Sequence, residues 1–190
     1  MTLTIAIAAV LLAALVIADF FIPMLPSATT IATLAGFLIG SPMLLIVLLA
    51  GSAFASWAGD VLGYRALRHA RSRVQWPILA SAKVTRLEGR LRESLRRHPH
   101  WTTIVARFLP AGRTALAWAA VDTPEYRHAR LALMAGIAWA AYMVGLGLGL
   151  AALFGPGLLS AATTITSVVA LSVVLGWWFR GSPAAAPAQK

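Results

Sequence analysis

The chain has 190 residues, is 59% hydrophobic and only 12% charged, and its mean hydropathy is +0.79. That balance excludes an ordinary soluble domain, which needs more polar surface, and leaves room for about four to six membrane segments; the absence of cysteine excludes disulfide and thiolate chemistry. The net charge of +10 is uneven, with ten of the sixteen basic residues between Arg65 and Arg97, so the positive-inside rule accounts for it better than nucleic acid does and puts that stretch in the cytoplasm.

In chain order, the N-terminus lacks the basic region of a cleaved signal peptide, and Leu3–Ile22 reads as a retained span of about 20 residues with Asp19 near its end. Pro23 and Pro26 then interrupt the chain, since each lacks an amide donor and restricts its predecessor, and Ser27 is placed to N-cap the next helix. Ala28–Gly40 is too short to cross a bilayer, so 23–42 is expected to be a re-entrant segment. Met43–Gly63 is long enough to span and carries Asp60 near its end. In the basic stretch 65–100, Val84, Leu87, Leu91 and Leu95 recur at helical spacing, while Arg86, Arg90, Arg92, Arg96 and Arg97 fall mostly off that stripe. Glu88–Arg92 and Glu93–Arg97 are favourable i,i+4 pairs. The spacing predicts an amphipathic helix lying on an anionic leaflet.

Trp101–Val121 is apolar yet holds Arg107 and Arg113 on either side of Pro110-Ala111-Gly112, and reads as a second re-entrant segment. Asp122–Arg130, with Glu125, Arg127 and His128, reads as a solvated connection. Residues 131–179 contain no charge and divide at Gly155-Pro156-Gly157 into two spans, 131–154 and 158–179, the second ending in an aromatic belt at Trp177-Trp178-Phe179. Residues 1–180 make one domain, and 181–190 a disordered tail.

An internal repeat supports this division. Leu49–Trp57 resembles Met134–Tyr142, and a Phe-x-Pro break precedes each: Pro23 lies 28 residues before Gly51, Pro110 26 before Gly136. With the basic loop inside, the first broken segment enters from outside and the second from inside. The expected architecture is an all-α integral membrane protein of about four transmembrane helices, two opposed re-entrant segments in an inverted repeat, and a cytoplasmic amphipathic helix, with both termini cytoplasmic. Such half-helices meet at the substrate site in many secondary transporters.

The candidate site follows from the two arginines. A charge at the bilayer centre costs about 2.5–3.5 kcal/mol on insertion scales, so it normally faces a partner or an aqueous cavity. The Pro110–Gly112 break can turn Arg107 and Arg113 towards one point. There Arg113 opens a half-helix whose free amides favour an anion, and guanidinium forks bind phosphate bidentately. Ser27, Thr29 and Thr30 at the other half-helix start can add donors. The alternative is that the arginines snorkel to the surface. Asp60 and Asp19 either couple transport to a proton or pair structurally, Asp60 then with Arg65 or Arg68. No metal or cofactor is expected: His69, His98 and His100 lack ligand spacing.

At these residues the chain resembles the DedA family, also called SNARE-associated or VTT-domain membrane proteins. The resemblance covers roughly residues 15–155 and rests on four motifs: Phe-Ile-Pro-Met-Leu-Pro-Ser (21–27), Gly-Asp-Val-Leu-Gly-Tyr (59–64), Arg-Phe-Leu-Pro-Ala-Gly-Arg-Thr (107–114) and Gly-Ile-Ala-Trp (136–139). It implies lipid transport in a bacterial-type cytoplasmic membrane, with undecaprenyl phosphate recycling in bacterial members, phospholipid scrambling in others, and proton dependence. By position, Arg107 and Arg113 match the family's functional arginines and Asp60 an acidic position. The chain departs from the family at Ala28, where many members carry an acid, and at Ala119-Ala120 and Pro124.

The leading expectation is therefore a flippase for a lipid with a phosphate head group. A small-ion or drug–proton antiporter of the same fold, and a non-transport scaffold using residues 84–97, are the competing readings. No nucleophile–base pair, metal spacing or phosphate loop points to an enzyme. The glycines of Gly145–Gly149 suit a homodimer contact or packing within one chain.

Overall fold

The computed structural model describes residues 2–22, 25–73, 82–108, 112–121, 123 and 126–181, and every regular element among them is an α-helix. These are α1 (Thr2–Ala18), α2 (Ser27–Phe37), α3 (Pro42–Arg73), α4 (Ala82–Arg97), α5 (Pro99–Phe108), α6 (Gly112–Val121), α7 (His128–Phe154) and α8 (Leu158–Gly181). Two stretches, Pro42–Ala70 within α3 and His128–Phe154 in α7, are long and apolar enough to cross a membrane.

The helix ends follow local chemistry. Pro42 opens α3, where a missing amide costs nothing and its fixed φ suits the first turn. α7 stops at Gly155, whose φ of +78° is one that side chains with a Cβ rarely adopt. At the start of α2 the structure differs from expectation: Pro26 holds the N-cap position, and Ser27 is the first helical residue, making no capping bond. The hydroxyls of Thr29 and Thr30 instead donate to the Pro26 carbonyl at 2.9 and 2.7 Å.

α3 and α7 form the centre and run antiparallel: Ala53 faces Gly136, the Trp57 indole donates to the Ala129 carbonyl at 3.0 Å, and the Asp60 backbone meets His128. α1 runs parallel to α3, with Ile17 against Gly59 and Phe20 against Gly63. α2 returns along α7, where a Cβ at Gly147 would run into the Ala32 carbonyl oxygen. The core between them is built from Val16, Ile31, Ala35, Leu48, Trp139 and Met143 and their neighbours.

The chain reverses on both sides of α2, between α1 and α2 and again before α3, and the helix expected over Leu3–Ile22 runs over Thr2–Ala18. Because α1 shares the direction of α3, the N-terminal residues lie at the end opposite α4, not beside the basic stretch as expected. Pro23 lies outside the described residues. The second half repeats the pattern, α5 and α6 flanking 109–111, so Pro110 is also outside them.

Two further expectations change. The stripe of α4 does not lie free: Leu95 is 2% exposed, and with Leu91 it packs into a second cluster with Ala106, Leu116, Ala120 and Leu131. The side chains of Val84, Leu87, Arg86, Glu88 and Arg90 are outside the described set, but Glu93 and Arg97 pair as predicted, at 2.6 Å. The connection before α7 is only partly solvated. Arg127 and Arg130 are exposed, whereas Thr123, Tyr126 and His128 are buried. Asp122, Pro124, Glu125 and residues 182–190 are not described, nor are the side chains of Trp177–Phe179.

The surface inverts the usual pattern. Val10, Ile46, Val47, Phe54, Leu153 and Val173 are each more than half exposed, while Ser52, Ser56, Asp60 and Arg107 are buried. Large contiguous apolar surface of this kind marks a chain that meets lipid or other protein.

Candidate functional site

α3 is apolar over most of its length but places Ser52, Ser56 and Asp60 four residues apart, on one face. That face points inward, with the three residues 2%, 0% and 4% exposed. Against it come the two ends of the second break. Arg107 closes α5, and Arg113 follows Gly112 at the opening of α6. Because α5 and α6 are separate helices, both guanidinium groups can reach one carboxylate, which six positions on a continuous helix would forbid.

Asp60 holds both arginines. Its Oδ2 accepts from Arg107 Nη1, and its Oδ1 accepts from Arg113 Nε at 2.8 Å. Arg107 Nη2 also donates to the Ser56 hydroxyl. Arg113 reaches further, donating from Nη1 to Asp19 Oδ2 at 3.0 Å and from Nη2 to the Ser56 carbonyl at 3.2 Å. The neighbouring Thr114 hydroxyl donates to the Phe20 carbonyl at 2.7 Å, so the two breaks touch directly. Two cations and two anions thus balance in one buried cluster.

Aromatic faces and glycines complete the enclosure. The Arg107 guanidinium lies 5.9 Å from the Trp139 ring centre and that of Arg113 5.8 Å from Phe20, within cation–π reach. Gly136 and Gly59 leave the space these groups use: a Cβ on Gly136 would stand 3.6 Å from Arg107 Nη2, and one on Gly59 3.2 Å from Arg113 Nη2. His128 stacks on Tyr64 with ring centres 4.3 Å apart, and its Nε2 lies 3.1 Å from the Asp60 carbonyl.

A cavity of about 10 Å³ lies among Asp60, Thr103, Arg107, Arg113 and His128. That is room for about one water. Arg107 Nε and His128 Nδ1 are buried without a partner, and both residues line it. Thr103 bonds the Tyr126 hydroxyl at 2.7 Å. Burial pushes the Tyr126 hydroxyl up to about 12, so the group stays neutral at ordinary pH.

Of the residues singled out in the sequence, Arg107, Arg113, Asp60 and Asp19 come together, and buried Ser27 lies beside Asp19. Thr29 and Thr30 do not reach the arginines. Arg65 and Arg68 are exposed and are not the partners of Asp60. Sequence reasoning missed Ser56, Tyr64, Thr103, Tyr126 and His128. The signal for Ser56 was present in the four-residue spacing to Asp60; His128 was hidden by the charged residues around it. Among the described residues no group of three or more His, Asp or Glu is arranged to hold a metal. The comparisons with known protein families, curated proteins and solved structures return no match for this chain.

Proposed function

We propose that this chain is a DedA-type membrane protein that carries an anionic lipid head group across a bacterial-type cytoplasmic membrane, with a polyprenyl phosphate as the favoured substrate. The observation that carries the reading is the meeting of the two breaks: Arg107 and Arg113 flank one, Asp19 and Phe20 the other, and Asp60 of α3 bridges both arginines. The four motifs behind the family resemblance lie up to 115 positions apart in the chain, from 21–27 to 136–139. Three of them, with Phe20 beside the first, supply the paired groups, the aromatic faces and the glycine clearances of this one cluster.

In this reading α3, α7 and α8 cross the bilayer, and α1–α2 and α5–α6 are hairpins entering from opposite sides. The apolar tail stays in lipid while the head group passes through the cluster. In this state the arginines are occupied by carboxylates, and a phosphate cannot bind until one lets go. Protonating Asp19 or Asp60 frees a guanidinium for the phosphate oxygens, which ties head-group binding to proton uptake. Arg113 is the better placed to move: its side chain and that of Asp19 are 10% and 17% exposed, against 3% and 6% for those of Arg107 and Asp60, and Arg107 is also held by Ser56 and Trp139.

The test is translocation of a labelled polyprenyl phosphate in proteoliposomes, with and without a pH gradient. Arg113→Gln should abolish transport while the protein remains folded, and the gradient should accelerate the unaltered chain. Normal transport by Arg113→Gln would overturn the site. A second reading, a small-ion–proton antiporter, is favoured by the cavity, which holds about one water and no phosphate in this state. It predicts coupled ion flux that Asp60→Asn stops, with no lipid movement.

A further inference from the structure

A second, larger cavity lies outside the arginine–aspartate cluster, where the end of α4, the start of α5 and the start of α7 meet. Its volume is about 470 Å³, within the range of small-ligand pockets. Three guanidinium groups line it, Arg96 from α4, Arg127 from the connection and Arg130 from α7. All three are exposed, and none has a carboxylate partner among the described residues. The floor is apolar, with Leu95 and Leu131 at 2% and 8% exposure. One wall is Met134, 49% exposed, and Ile137, one turn further along α7, is 50% exposed. Arg130, Met134 and Ile137 fall at i, i+4 and i+7, so cationic and apolar groups form one continuous stripe down the helix.

We propose that this pocket is a binding site for the phosphate head group of a membrane lipid, with the acyl chain lying along Met134 and Ile137. The inference rests on the membrane reading above but concerns a separate site. Three unpaired guanidinium groups call for a multivalent oxyanion, which phosphate supplies and a carboxylate supplies less well. The apolar continuation selects an amphiphile over free phosphate, because an inorganic anion would leave the exposed Met134 and Ile137 uncovered. The pocket is also next to the transport cluster. Tyr126 lines it, and the hydroxyl of Tyr126 bonds Thr103, which lines the small inner cavity. The Tyr126–Thr103 pair is thus the partition between the two, and a head group held by Arg127 and Arg130 waits one residue layer from Arg107.

The experiment is binding of dioctanoyl phosphatidic acid to the purified full chain in neutral detergent, followed by native mass spectrometry, with inorganic phosphate as competitor. Arg96→Gln, Arg127→Gln and Arg130→Gln combined should weaken binding by about tenfold or more, while Arg68→Gln, at an exposed arginine of α3 outside this pocket, should leave it within about twofold of the unaltered chain. Millimolar inorganic phosphate should not displace the lipid. Unchanged binding by the triple variant would overturn the site, and displacement by phosphate would overturn the choice of a lipid. Loss of binding in the triple variant, in a protein that moves no lipid in proteoliposomes, would sustain the pocket while removing the transport reading.

Discussion

Asp60 is shared by two buried arginines, so the members of the cluster do not respond equally to replacement. Asp60→Ala removes the carboxylate of Arg107 and one of the two of Arg113, leaving Arg107 with Ser56 and Arg113 with Asp19 and the Ser56 carbonyl, and breaking a buried pair in this way costs about 3–5 kcal/mol. Asp19→Asn costs less, because Arg113 keeps its bond to Asp60 at 2.8 Å. Thermal unfolding in detergent should therefore rank Asp60→Ala as the most destabilised and Asp19→Asn as the least, with Arg107→Ala between them. Arg107→Ala leaves Ser56 and Asp60 short of a donor but keeps the Asp60–Arg113 pair. Tyr126 adds a pH signature. Its folded value is raised from 10.0 to about 12, so it contributes stability that is present below pH 10 and lost as the pH rises towards 12. Tyr126→Phe should flatten that part of the unfolding curve, at a cost of about 1 kcal/mol for the bond to Thr103. At this scale the sequence was most legible where a residue was out of place. Arginine and aspartate in apolar runs stood out, whereas His128 in a charged stretch did not. Burial by neighbours far along the chain is a tertiary fact that local composition does not carry.

Among the elements, glycines separate packing from propensity. Gly147 sits where α7 meets α2, and a Cβ there would run into the Ala32 carbonyl, which is backbone and cannot turn aside. Gly145 and Gly149, on the same helix, have open space around them. Gly147→Ala should therefore destabilise by about 1–3 kcal/mol, while Gly149→Ala should leave stability unchanged or raise it by about 1 kcal/mol through helix propensity. Equal unfolding temperatures for the two variants would contradict the close approach of α2 and α7. The glycine-rich stretch thus serves intrachain packing at Gly147, and its other two glycines face outward. The breaks were legible because proline and glycine punctuate any helix. The direction of α1 was not, since hydropathy does not orient a helix against its neighbours; the register of Ile17 and Phe20 on α3 shows it. Similarly, Leu91 and Leu95 of α4 have the spacing of a lipid-facing stripe but pack against α5 and α6, and periodicity does not say what covers a face.

For the whole molecule, the repeat and its asymmetry matter more than either half. Aligning Gly51 with Gly136 sets Asp60 opposite Gly145, and aligning Pro23 with Pro110 sets Pro26 opposite Arg113. One half therefore contributes the bridging acid and the other the two cations, so neither half alone closes the cluster. The proposed inverted arrangement makes a topological prediction. The chain has no cysteine, so single cysteines report position directly. Replacements of Thr4, Gly40 and Gly157 by cysteine should be labelled by an impermeant maleimide from one side of the membrane, and those of Arg97 and Arg127 from the other. Labelling of Thr4→Cys together with Arg97→Cys would contradict the parallel course of α1 and α3.

The balance of charges in the cluster has an electrical consequence. Two guanidinium and two carboxylate groups sum to zero, so under the proposed transport function a phosphodiester that enters with one proton, or a phosphomonoester with two, would cross without net charge movement. A membrane potential of 100 mV does about 2.3 kcal/mol of work on each unit charge that crosses and none on such a complex. Potassium diffusion potentials imposed with valinomycin should leave the transport rate unchanged, while a pH gradient of the same energy drives it. A rate that follows the imposed voltage would mean that the head group crosses without its protons.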